Sequence, residues 1–354
     1  MENFSVRLLD WFTKNKRPMP WRGTREPYHI WLSEVMLQQT QVSTVISYYN
    51  RFIQKYPTLE TLASATDEDV LKLWEGLGYY RRCHNFLNAV RMVRDQYHGI
   101  VPADPDAFKD LPGVGAYTQA AVLSIAFDKA LPVVDGNVIR VVTRVYRITE
   151  DSTKTGTRHR IHQRMQQLIP AENPGDFNQA VMELGALVCT PKNPACDVCP
   201  LTRDCGAFQD GAPHLYPNIP KKEKIPEYQV GLAVIWHDGK FLIQKRPSIG
   251  HLAGLWEFPG GKCENGESPE QALDRKCREE LGLGVRIVKK LTTVTHGYSH
   301  FKIQVKVFWC EAKKQVPKAL KNQPLAWIGA DELEKYPFPS ANHKFFPLLL
   351  DLDP

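Results

Sequence analysis

The stretch LPGVGAYTQAAVLSIAF, residues 111–127, decides how the first half of this sequence folds. Two glycines, Gly113 and Gly115, flank Val114 directly before an apolar-periodic helix. Glycine permits a tight turn with exposed backbone N–H groups, and the helix N-terminus adds partial positive charge. Such a turn can bind a phosphate, although GxG alone favours an ordinary turn between helices. The flanking sequence decides between the two.

Length and charge limit the fold and the partner. A chain of 354 residues with 43% hydrophobic content is expected to form two domains, each with its own core. The net charge of +6 and the pI near 8.8 are modestly basic. This balance fits a nucleic-acid partner, because Lys and Arg contacts to phosphate supply most sequence-independent affinity. It fits a mildly basic soluble enzyme almost as well, so composition does not identify the partner.

The sequence contains no membrane signal. No run of about 18 apolar residues is present, so we expect no membrane span and no membrane partner. The N-terminal MENFSVRLLDWFTKNK is typical of an amphipathic helix and lacks a secretory apolar core and cleavage site. We therefore expect an intracellular protein, located in the cytoplasm or at the nucleoid if the organism is bacterial. We also expect it to be a monomer.

The first part of the chain is predicted to consist of helices joined by short turns. Apolar residues recur at helical spacing in 84–97, and Gly99 suits a C-terminal cap. Thr66 or Asp67 can cap the next predicted helix upstream. A further helix is predicted over 174–188, with proline in its first turn.

The predicted secondary structure changes from helices to mainly strands after a linker. Residues 210–227, DGAPHLYPNIPKKEKIPE, hold four prolines and three lysines without apolar periodicity. Beyond them, VGLAVIW, FLIQKR, VRIVKKLTTVT and IQVKVFWC are β-rich, and one helical stretch lies around 268–281. The sequence thus predicts a multidomain chain, with an all-α domain over 1–209 and a smaller α+β domain over 228–354.

Four cysteines stand within seventeen residues in the pattern C-x6-C-x2-C-x5-C. They are Cys189, Cys196, Cys199 and Cys205. Four thiolates from one short, proline-rich loop suit an iron–sulfur cluster or a structural zinc, and spacing alone leaves these two close to even. Disulfides are disfavoured in a reducing compartment, and the other four cysteines are scattered.

Two carboxylates are candidates for acid–base chemistry. Glu34 lies in the apolar run YHIWLSEVMLQQTQV, where burial should raise its pKa and keep it protonated, as a general acid requires. Asp135 lies in LPVVDGNVIRV, where a strand-like run meets a helix start. Taken alone, Asp135 is better explained as a helix N-cap.

The combination of motifs resembles a known family. The glycine turn, about twenty residues before VVDGNV, resembles the helix–hairpin–helix of the endonuclease III superfamily of DNA glycosylases. SEVMLQQTQV, GLGYYRR, LPGVGAYT, VDGNV, FNQAVMELGALVC and the cysteine loop resemble adenine DNA glycosylases (the MutY family) in the family's order. They cover nearly all of the first 205 residues. The resemblance implies that the cysteine loop holds a 4Fe–4S cluster and that the partner is double-stranded DNA.

The same resemblance implies catalytic roles. Glu34 matches the acid that protonates adenine at N7, and Asp135 matches the carboxylate that stabilises an oxocarbenium-like sugar. Asn137 matches its polar partner. Tyr117 stands where relatives that also nick the strand carry a Schiff-base lysine, so we expect a monofunctional glycosylase.

Further positions match the family's DNA contacts. Extruding a base leaves a hole in the duplex, and Gln38, Gln39 and Tyr79 match the residues that fill it. Tyr79 can equally be a core aromatic. Trp21, Arg22 and Glu183 match positions around the flipped adenine.

GGKCENGESPEQALDRKCREELGLG, residues 260–284, resembles the Nudix box of enzymes that hydrolyse nucleoside diphosphates. In such enzymes, helical glutamates at i, i+3 and i+4 bind Mg²⁺. Here Lys276 replaces the first of them, ahead of Glu279 and Glu280. The Lys276 ammonium group repels Mg²⁺, and the substitution leaves the site with one carboxylate ligand fewer. A residual hydrolase stays open as an alternative.

Adenine DNA glycosylases carry a C-terminal Nudix-like domain that finds 8-oxoguanine. Their recognition loop resembles HGYSH, with Tyr298 as a wedge, Ser299 as a hydrogen-bonding group and His300 beside them. An ordinary polar turn is the alternative. The expected activity is excision of adenine paired with 8-oxoguanine or guanine. An endonuclease III-like glycosylase–lyase, a nucleotide hydrolase and a DNA-binding module remain as alternatives.

Overall fold

A computed structural model describes residues 2–220, 224–312 and 316–350. The chain folds into two compact units, Met1–Ser64 with Asn85–Lys222, and Ala65–His84 with Glu223–Pro354. The helices are α1 Glu2–Asn15, α2 Pro27–Leu37, α3 Val42–Lys55, α4 Leu59–Ala63, α5 Asp67–Trp74, α6 Tyr80–Gln96, α7 Pro105–Lys109, α8 Ala116–Phe127, α9 Gly136–Tyr146, α10 Thr155–Leu168, α11 Pro174–Leu187, α12 Gly206–Gln209, α13 Pro269–Leu281, α14 Ser340–His343 and α15 Phe346–Leu350. Among the described residues, none of these helices has both the length and the apolar character needed to cross a membrane.

The helix ends follow local sequence signals. The Thr66 side chain accepts a hydrogen bond from the Asp69 N–H, so Thr66 rather than Asp67 caps α5. Gly99 takes φ +78°, and its N–H donates to Val93 O at 3.1 Å, which closes the end of α6. Pro174 occupies the first turn of α11, where its missing N–H is not needed.

The core of the first unit is built by helices that are distant in sequence. Phe4, Leu8 and Phe12 lie four residues apart on one face of α1 and are buried. They belong to a cluster that also contains apolar side chains of α9, α10 and α11. In α2, every residue from Ile30 to Met36 is buried, so the polar side chains of Ser33 and Glu34 lie in the interior.

The second unit is built on one mixed sheet. Its strands, within the described residues, are β1 Glu227–His237, β2 Lys240–Lys245, β3 Trp256–Glu257, β4 Gly260–Lys262, β5 Val285–Gly297, β6 Lys302–Ala312 and β7 Leu325–Ile328. The path is β3-β2-β1-β6-β5, with β4 on β1 and β7 on β2. The β1–β6 pair is parallel and the other pairs are antiparallel.

Both faces of the sheet are covered. On one face, Leu273, Cys277 and Leu281 of α13 join buried residues of β1, β2 and β6. On the other face, Phe338 and Phe345 belong to a second cluster with buried strand residues. Helix and sheet together give the α+β architecture that the β-rich runs and the helical stretch at 268–281 predicted.

The segment Ala65–His84 belongs to the second unit, although it lies early in the sequence. Lys72 Nζ donates to Tyr336 O at 3.1 Å, and Glu75 Oε1 accepts from Phe338 N at 2.6 Å. This grouping was not predicted from the sequence. The proposed boundaries, 1–209, linker 210–227 and 228–354, stay a prediction, and residues 1, 221–223, 313–315 and 351–354 within them lie outside the described part of the chain.

Candidate active site

Glu34 lies in the middle of α2 and is only 4% exposed. The Tyr117 hydroxyl, from the first turn of α8, donates a hydrogen bond to Glu34 Oε2 at 2.6 Å. Burial raises the pKa of Glu34 to about 7; the charge of Asp135 adds to this, and the Tyr117 bond and the charge of Arg22 oppose it. Near neutral pH, Glu34 therefore holds a proton that it can also release.

Asp135 is the N-cap of α9, and both of its carboxylate oxygens are engaged. Oδ1 accepts from the Val138 N–H at 2.7 Å, and Oδ2 accepts from Asn137 Nδ2 at 2.8 Å. Asn137 Oδ1 in turn accepts from Arg140 Nη2 at 2.9 Å. A Cβ on Gly185 of α11 would meet Asn137 Cβ at 2.6 Å, so glycine is required for the two helices to approach here. The cap and the supporting amide fix the orientation of the Asp135 carboxylate.

A second carboxylate, Glu183 of α11, is 2% exposed and lies between two arginines. Arg17 donates from Nε and Nη2 at 2.8 Å each and from its backbone N–H at 2.9 Å. Arg22 donates from Nη1 at 3.1 Å and from Nη2 at 3.0 Å. Burial by itself would raise the pKa of Glu183, but these bonds lower it to about 2. Glu183 is therefore a permanent anion.

Arg17 was missed by the sequence reasoning. Its only signal is its place in RPMPWR, near Trp21 and Arg22, and its partner lies 166 positions away.

Trp21 is 6% exposed, and its ring meets the Tyr49 ring edge-on at 5.2 Å between centroids. The described residues of the first unit thus bring together Glu34, Tyr117 and the charges of Asp135 and Arg22.

The glycine turn before α8 has the predicted backbone form. Gly113 takes φ +78°, and an added Cβ would meet Asn85 Cβ at 2.6 Å. Gly115 is the N-cap of α8 and has open space where a Cβ would stand. Gly113 and Gly115 are exposed and Val114 is half-buried. A phosphate can therefore approach the backbone N–H groups at this helix N-terminus.

Two of the predicted gap-filling residues have unusual backbone conformations. Gln39 takes φ +59° and Tyr79 takes φ +50°, a left-handed region that side chains other than glycine rarely adopt. Such strain often marks functional positions. The Tyr79 ring is 40% exposed, so it is not the core aromatic that the sequence left open. Gln38 donates from Nε2 to Thr118 Oγ1 at 3.0 Å.

The predicted recognition loop, 298–300, joins β5 to β6. The Tyr298 N–H donates to Phe301 O at 2.8 Å, which makes the turn tight. The Tyr298 ring is half-buried, with the rings of His251, His296 and Phe301 between 4.8 and 4.9 Å away. Ser299 and His300 are exposed, and Ser299 Oγ contacts the Tyr79 hydroxyl within the same unit.

The four-cysteine loop begins where α11 ends. Short helical turns shape it, and Thr202 Oγ1 donates to Cys196 O at 2.8 Å and to Cys199 O at 2.7 Å. Burial first, and then the charges of Cys189, Cys205 and Cys196, raise the pKa of Cys199 to about 12. The buried Arg144 donates from Nη1 to Cys189 Sγ at 3.2 Å. The four cysteines and Arg144 line one small cavity, and such a donor set beside a fixed cation suits an anionic, thiolate-held cluster.

The carboxylates of the Nudix-like box form ion pairs with neighbouring lysine and arginine side chains. Lys276 Nζ lies 2.9 Å from Glu279 Oε2 and 3.9 Å from Glu280 Oε1, and Lys321 Nζ lies 3.2 Å from Glu280 Oε1. Arg275 holds Glu267 through two bonds of 2.8 Å and lowers its pKa to about 2. Glu279 and Glu280 thus face protein cations where a hydrolase would hold Mg²⁺.

Three parts of the chain match known domain families. Residues 32–167 match the HhH-GPD superfamily of base excision DNA repair proteins, and residues 189–205 match the iron–sulfur binding domain of endonuclease III. Residues 231–348 match the NUDIX domain. Together these matches cover the hairpin, the cysteine loop and the α+β unit.

Whole-chain relatives share one name, adenine DNA glycosylase. The protein of that name from Rattus norvegicus is 36% identical over 397 residues, with 97% of this chain and 77% of the relative covered. The Homo sapiens protein is 37% identical over 399 residues, with 97% and 73% covered. The chain belongs to the adenine DNA glycosylase family.

A solved structure supports the fold of this adenine DNA glycosylase family member. A thermostable thymine-DNA glycosylase is similar, with a TM-score of 0.54, 30% identity, and 59% of this chain and 96% of that chain covered. The predicted fold class is therefore confirmed. It combines an all-α helix–hairpin–helix glycosylase domain containing an iron–sulfur loop with an α+β Nudix-like domain.

Membership of the adenine DNA glycosylase family identifies the enzyme class. The protein is a DNA glycosylase of base excision repair, it acts on DNA, and it hydrolyses N-glycosyl bonds. Its cofactor is a 4Fe–4S cluster. This decides between the iron–sulfur cluster and the structural zinc, which the cysteine spacing alone left close to even. The roles of individual residues stay predictions.

Proposed function

We propose that the protein removes adenine paired with 8-oxoguanine or guanine from double-stranded DNA, without cutting the strand. The observation that carries this proposal is the buried Glu34, whose pKa is about 7, with the charge of Asp135 acting on it. A proton source beside a fixed anion matches what breaking a base–sugar bond requires.

The proposed reaction assigns a step to each carboxylate. Glu34 gives its proton to N7 of adenine, and the base–sugar bond then breaks with its electron pair leaving on the base. The sugar develops positive charge, which the Asp135 carboxylate stabilises, and Asn137 keeps that carboxylate in place through its 2.8 Å bond. A water molecule adds to C1′ and releases a proton to the solvent, which returns one to the Glu34 carboxylate. Tyr117 cannot form a Schiff base, so it positions Glu34 and supplies no lyase step.

The adenine must leave the duplex before this chemistry begins. Trp21, Arg22 and Glu183 flank the extruded base in this proposal, and Gln38, Gln39 and Tyr79 fill the space that it leaves. The left-handed backbone at Gln39 and Tyr79 supports the second assignment, because strain of that kind persists where function needs it. The turn with Gly113, Val114 and Gly115 holds a phosphate.

The lesion opposite the adenine is read by the second unit in this proposal. Tyr298 wedges into the base step, and Ser299 hydrogen-bonds the altered edge of 8-oxoguanine beside His300. The exposure of Ser299 and the aromatic packing that orients Tyr298 support these roles.

The 4Fe–4S cluster has a structural role in this proposal. Cys189, Cys196, Cys199 and Cys205 hold the four irons, and the cluster shapes a loop that contacts DNA rather than the bond that breaks. The protein works as a monomer wherever genomic DNA lies, which is the nucleoid in a bacterium.

An excision assay tests the function. The purified protein is incubated with 30-base-pair duplexes that carry one adenine opposite 8-oxoguanine, guanine or thymine, and abasic sites are then cleaved with alkali. We expect cleavage of the adenine strand opposite 8-oxoguanine and guanine, and none opposite thymine. An intact adenine strand in all three duplexes contradicts the proposal.

The same reactions separate the monofunctional enzyme from a glycosylase–lyase. Without alkali the strand should stay intact, and borohydride should trap no protein–DNA adduct. A trapped adduct would assign a lyase step and overturn the role given to Tyr117.

A further inference from the structure

A buried asparagine of the first unit, Asn178, has no role in the excision steps described above. It lies near the start of α11 and is fully buried. An amide in the interior must pair its donors and its acceptor, because an unpaired polar group there destabilises the fold. The partners of Asn178 therefore show what its side chain does.

Two of these partners are backbone groups of the segment that leads to Asp135. Asn178 Oδ1 accepts a hydrogen bond from the Val133 N–H at 3.0 Å, and Asn178 Nδ2 donates to Leu131 O at 2.8 Å. Residues 128–135 connect α8 to α9 and form neither helix nor strand. Buried backbone groups in such a segment need partners other than a helix or a sheet neighbour, and the amide of Asn178 supplies two of them.

The same amide is bonded to α8. Asn178 Nδ2 also donates to Ser124 Oγ at 2.9 Å, and Ser124 is fully buried. The helices α8 and α11 approach closely at this point, since a Cβ on Gly175 would meet Ser124 O at 2.6 Å. Asn178 thus joins three parts of the first unit, which are α8, α11 and the segment before Asp135.

These parts carry groups of the proposed reaction. The first turn of α8 carries Tyr117, whose hydroxyl donates to Glu34 Oε2 at 2.6 Å. Val133 is fully buried in a small apolar cluster, against which Tyr117 and Met182 pack. Asp135 follows Val133 by two residues, which span at most about 7 Å of chain. The position of the Val133 backbone therefore limits where the Asp135 carboxylate can lie.

Only an amide suits both backbone contacts. Val133 presents a donor and Leu131 presents an acceptor, so the side chain needs an acceptor at one atom and a donor at the other. A carboxylate would place an oxygen against Leu131 O. An aliphatic side chain of the same size would leave both backbone groups unpaired.

We propose that Asn178 is a positioning residue for excision, which holds the segment before Asp135 so that the Asp135 carboxylate lies beside the sugar while Glu34 faces the base. Asn178 itself touches neither the base nor the sugar. This inference rests on the proposed function, because the position of Asp135 matters only if Asp135 acts on the sugar.

Single-turnover excision by the full-length holoprotein, on the duplex with adenine opposite 8-oxoguanine, tests this role. Asn178→Leu keeps the approximate volume of the side chain and removes its three hydrogen bonds. The rate should fall roughly 10²-fold, the effect of displacing a reacting group by about 1 Å, while the affinity for the duplex stays within about threefold.

The control for lost stability is Phe177→Leu. Phe177 is the neighbouring residue of α11, and it is fully buried in the apolar core. The variant loses packing and keeps the amide, so at temperatures below its thermal unfolding its rate should stay within about threefold of the wild type. Its pH profile should not move.

The pH profile separates positioning from a general loss of stability. The Glu34 carboxyl is acted on by the Tyr117 hydroxyl of α8, the Asp135 carboxylate before α9 and the Arg22 guanidinium. The negative charge of Asp135 raises the pKa of Glu34, so displacing Asp135 should move the falling limb of the Asn178→Leu profile to lower pH. A wild-type rate in this variant, or a slower rate with an unmoved limb, overturns the proposal.

Amide hydrogen exchange tests the contact without reference to excision. The Val133 N–H is buried and bonded to Asn178 Oδ1, so it should exchange slowly in the DNA-free wild-type holoprotein. We expect exchange at least about tenfold faster in Asn178→Leu than in the wild type or in Phe177→Leu. Unchanged exchange contradicts the proposal.

The two sets of measurements also separate this inference from the proposed function. A wild-type protein that releases adenine from no mispair contradicts the proposed function, and the role of Asn178 in excision fails with it. An active wild type together with an unaffected Asn178→Leu variant contradicts the role of Asn178 alone.

Discussion

Glu34 of the first unit and the Nudix-box carboxylates of the second unit have pKa values shifted in opposite directions. In the first unit, Glu34 lies in an apolar helix with one phenol as its partner, and its pKa rises to about 7. In the second unit, Glu267 and Glu279 face Arg275 and Lys276, and their pKa values are lowered, that of Glu267 to about 2. Both sets lie on or beside helices with family motifs. The partner groups, and not the carboxylates, determine what each set can do.

This difference separates chemistry from recognition in the proposed function. A carboxyl group that holds its proton near neutral pH can act as a general acid, whereas an ion-paired carboxylate can only support structure or accept hydrogen bonds. We therefore expect substitutions in the first unit to change the rate of excision. Substitutions in the second unit should change which mispair is chosen.

Removing the proposed proton donor gives the largest expected effect. Glu34→Gln keeps the size and polarity of the side chain but cannot supply the proton, so single-turnover excision opposite 8-oxoguanine should fall by roughly 10³-fold. Binding of the mispair duplex, measured by gel shift, should stay within about threefold.

The matched control for Glu34→Gln is Glu267→Gln, the same change at an ion-paired carboxylate of the second unit. It should leave the excision rate within about twofold. A Glu34→Gln protein that keeps more than about a tenth of the rate would remove Glu34 from the role of acid and would cancel the contrast between the units.

Ser299→Ala tests the recognition side of the comparison. The alanine cannot hydrogen-bond the lesion, so the preference for 8-oxoguanine over guanine, measured as a ratio of kcat/KM values, should fall about tenfold. Tyr79→Phe is the control for the Ser299–Tyr79 contact. It breaks the same contact by removing the Tyr79 hydroxyl, and it keeps both the ring and Ser299. Loss of discrimination in Tyr79→Phe, but not in Ser299→Ala, would assign the effect to Tyr79.

The pH profile tests how Glu34 is tuned. Because the acid must be protonated, wild-type excision should be level below about pH 6 and should fall as pH rises through the pKa of about 7. Tyr117→Phe removes a hydrogen bond that lowers this pKa, so the falling limb should move to higher pH. At pH 7.5 the rate gain is at most about fourfold, since roughly a quarter of Glu34 is protonated there in the wild type. A limb that stays in place or moves to lower pH would contradict this account of Tyr117.

Local features of both units could be predicted from the sequence. The Thr66 cap, the Gly99 helix end and the long strands β1, β2, β5 and β6 all follow from neighbouring residues, through capping atoms, left-handed glycine and β-rich runs. The apolar run around Glu34 predicted its burial for the same reason, and Glu34 is 4% exposed.

Features that depend on distant pairing could not be predicted. Arg17 is 166 positions from Glu183, and nothing near Arg17 indicates that partner. The short strands β3, β4 and β7 contain two to four residues each and are stabilised by strands elsewhere in the sheet. The sequence of the Ala65–His84 segment predicts a helical part of the first domain. In the structure, however, its side chains form hydrogen bonds with residues more than 160 positions away. Sequence periodicity carries no information on such contacts.

Lys276→Glu is expected to have the smallest effect on excision and the clearest effect on the second unit. It restores a third carboxylate beside Glu279 and Glu280 and removes the ammonium that lies 2.9 Å from Glu279. The added negative charge should create Mg²⁺ affinity, measured by titration calorimetry, where the wild type has little. Lys240→Glu makes the same charge change at an exposed strand end and should create none. Excision should stay within about twofold in both variants. Equal Mg²⁺ affinity in the wild type and Lys276→Glu would mean that Lys276 does not block the metal. The account of the ion-paired carboxylates in the second unit would then be wrong.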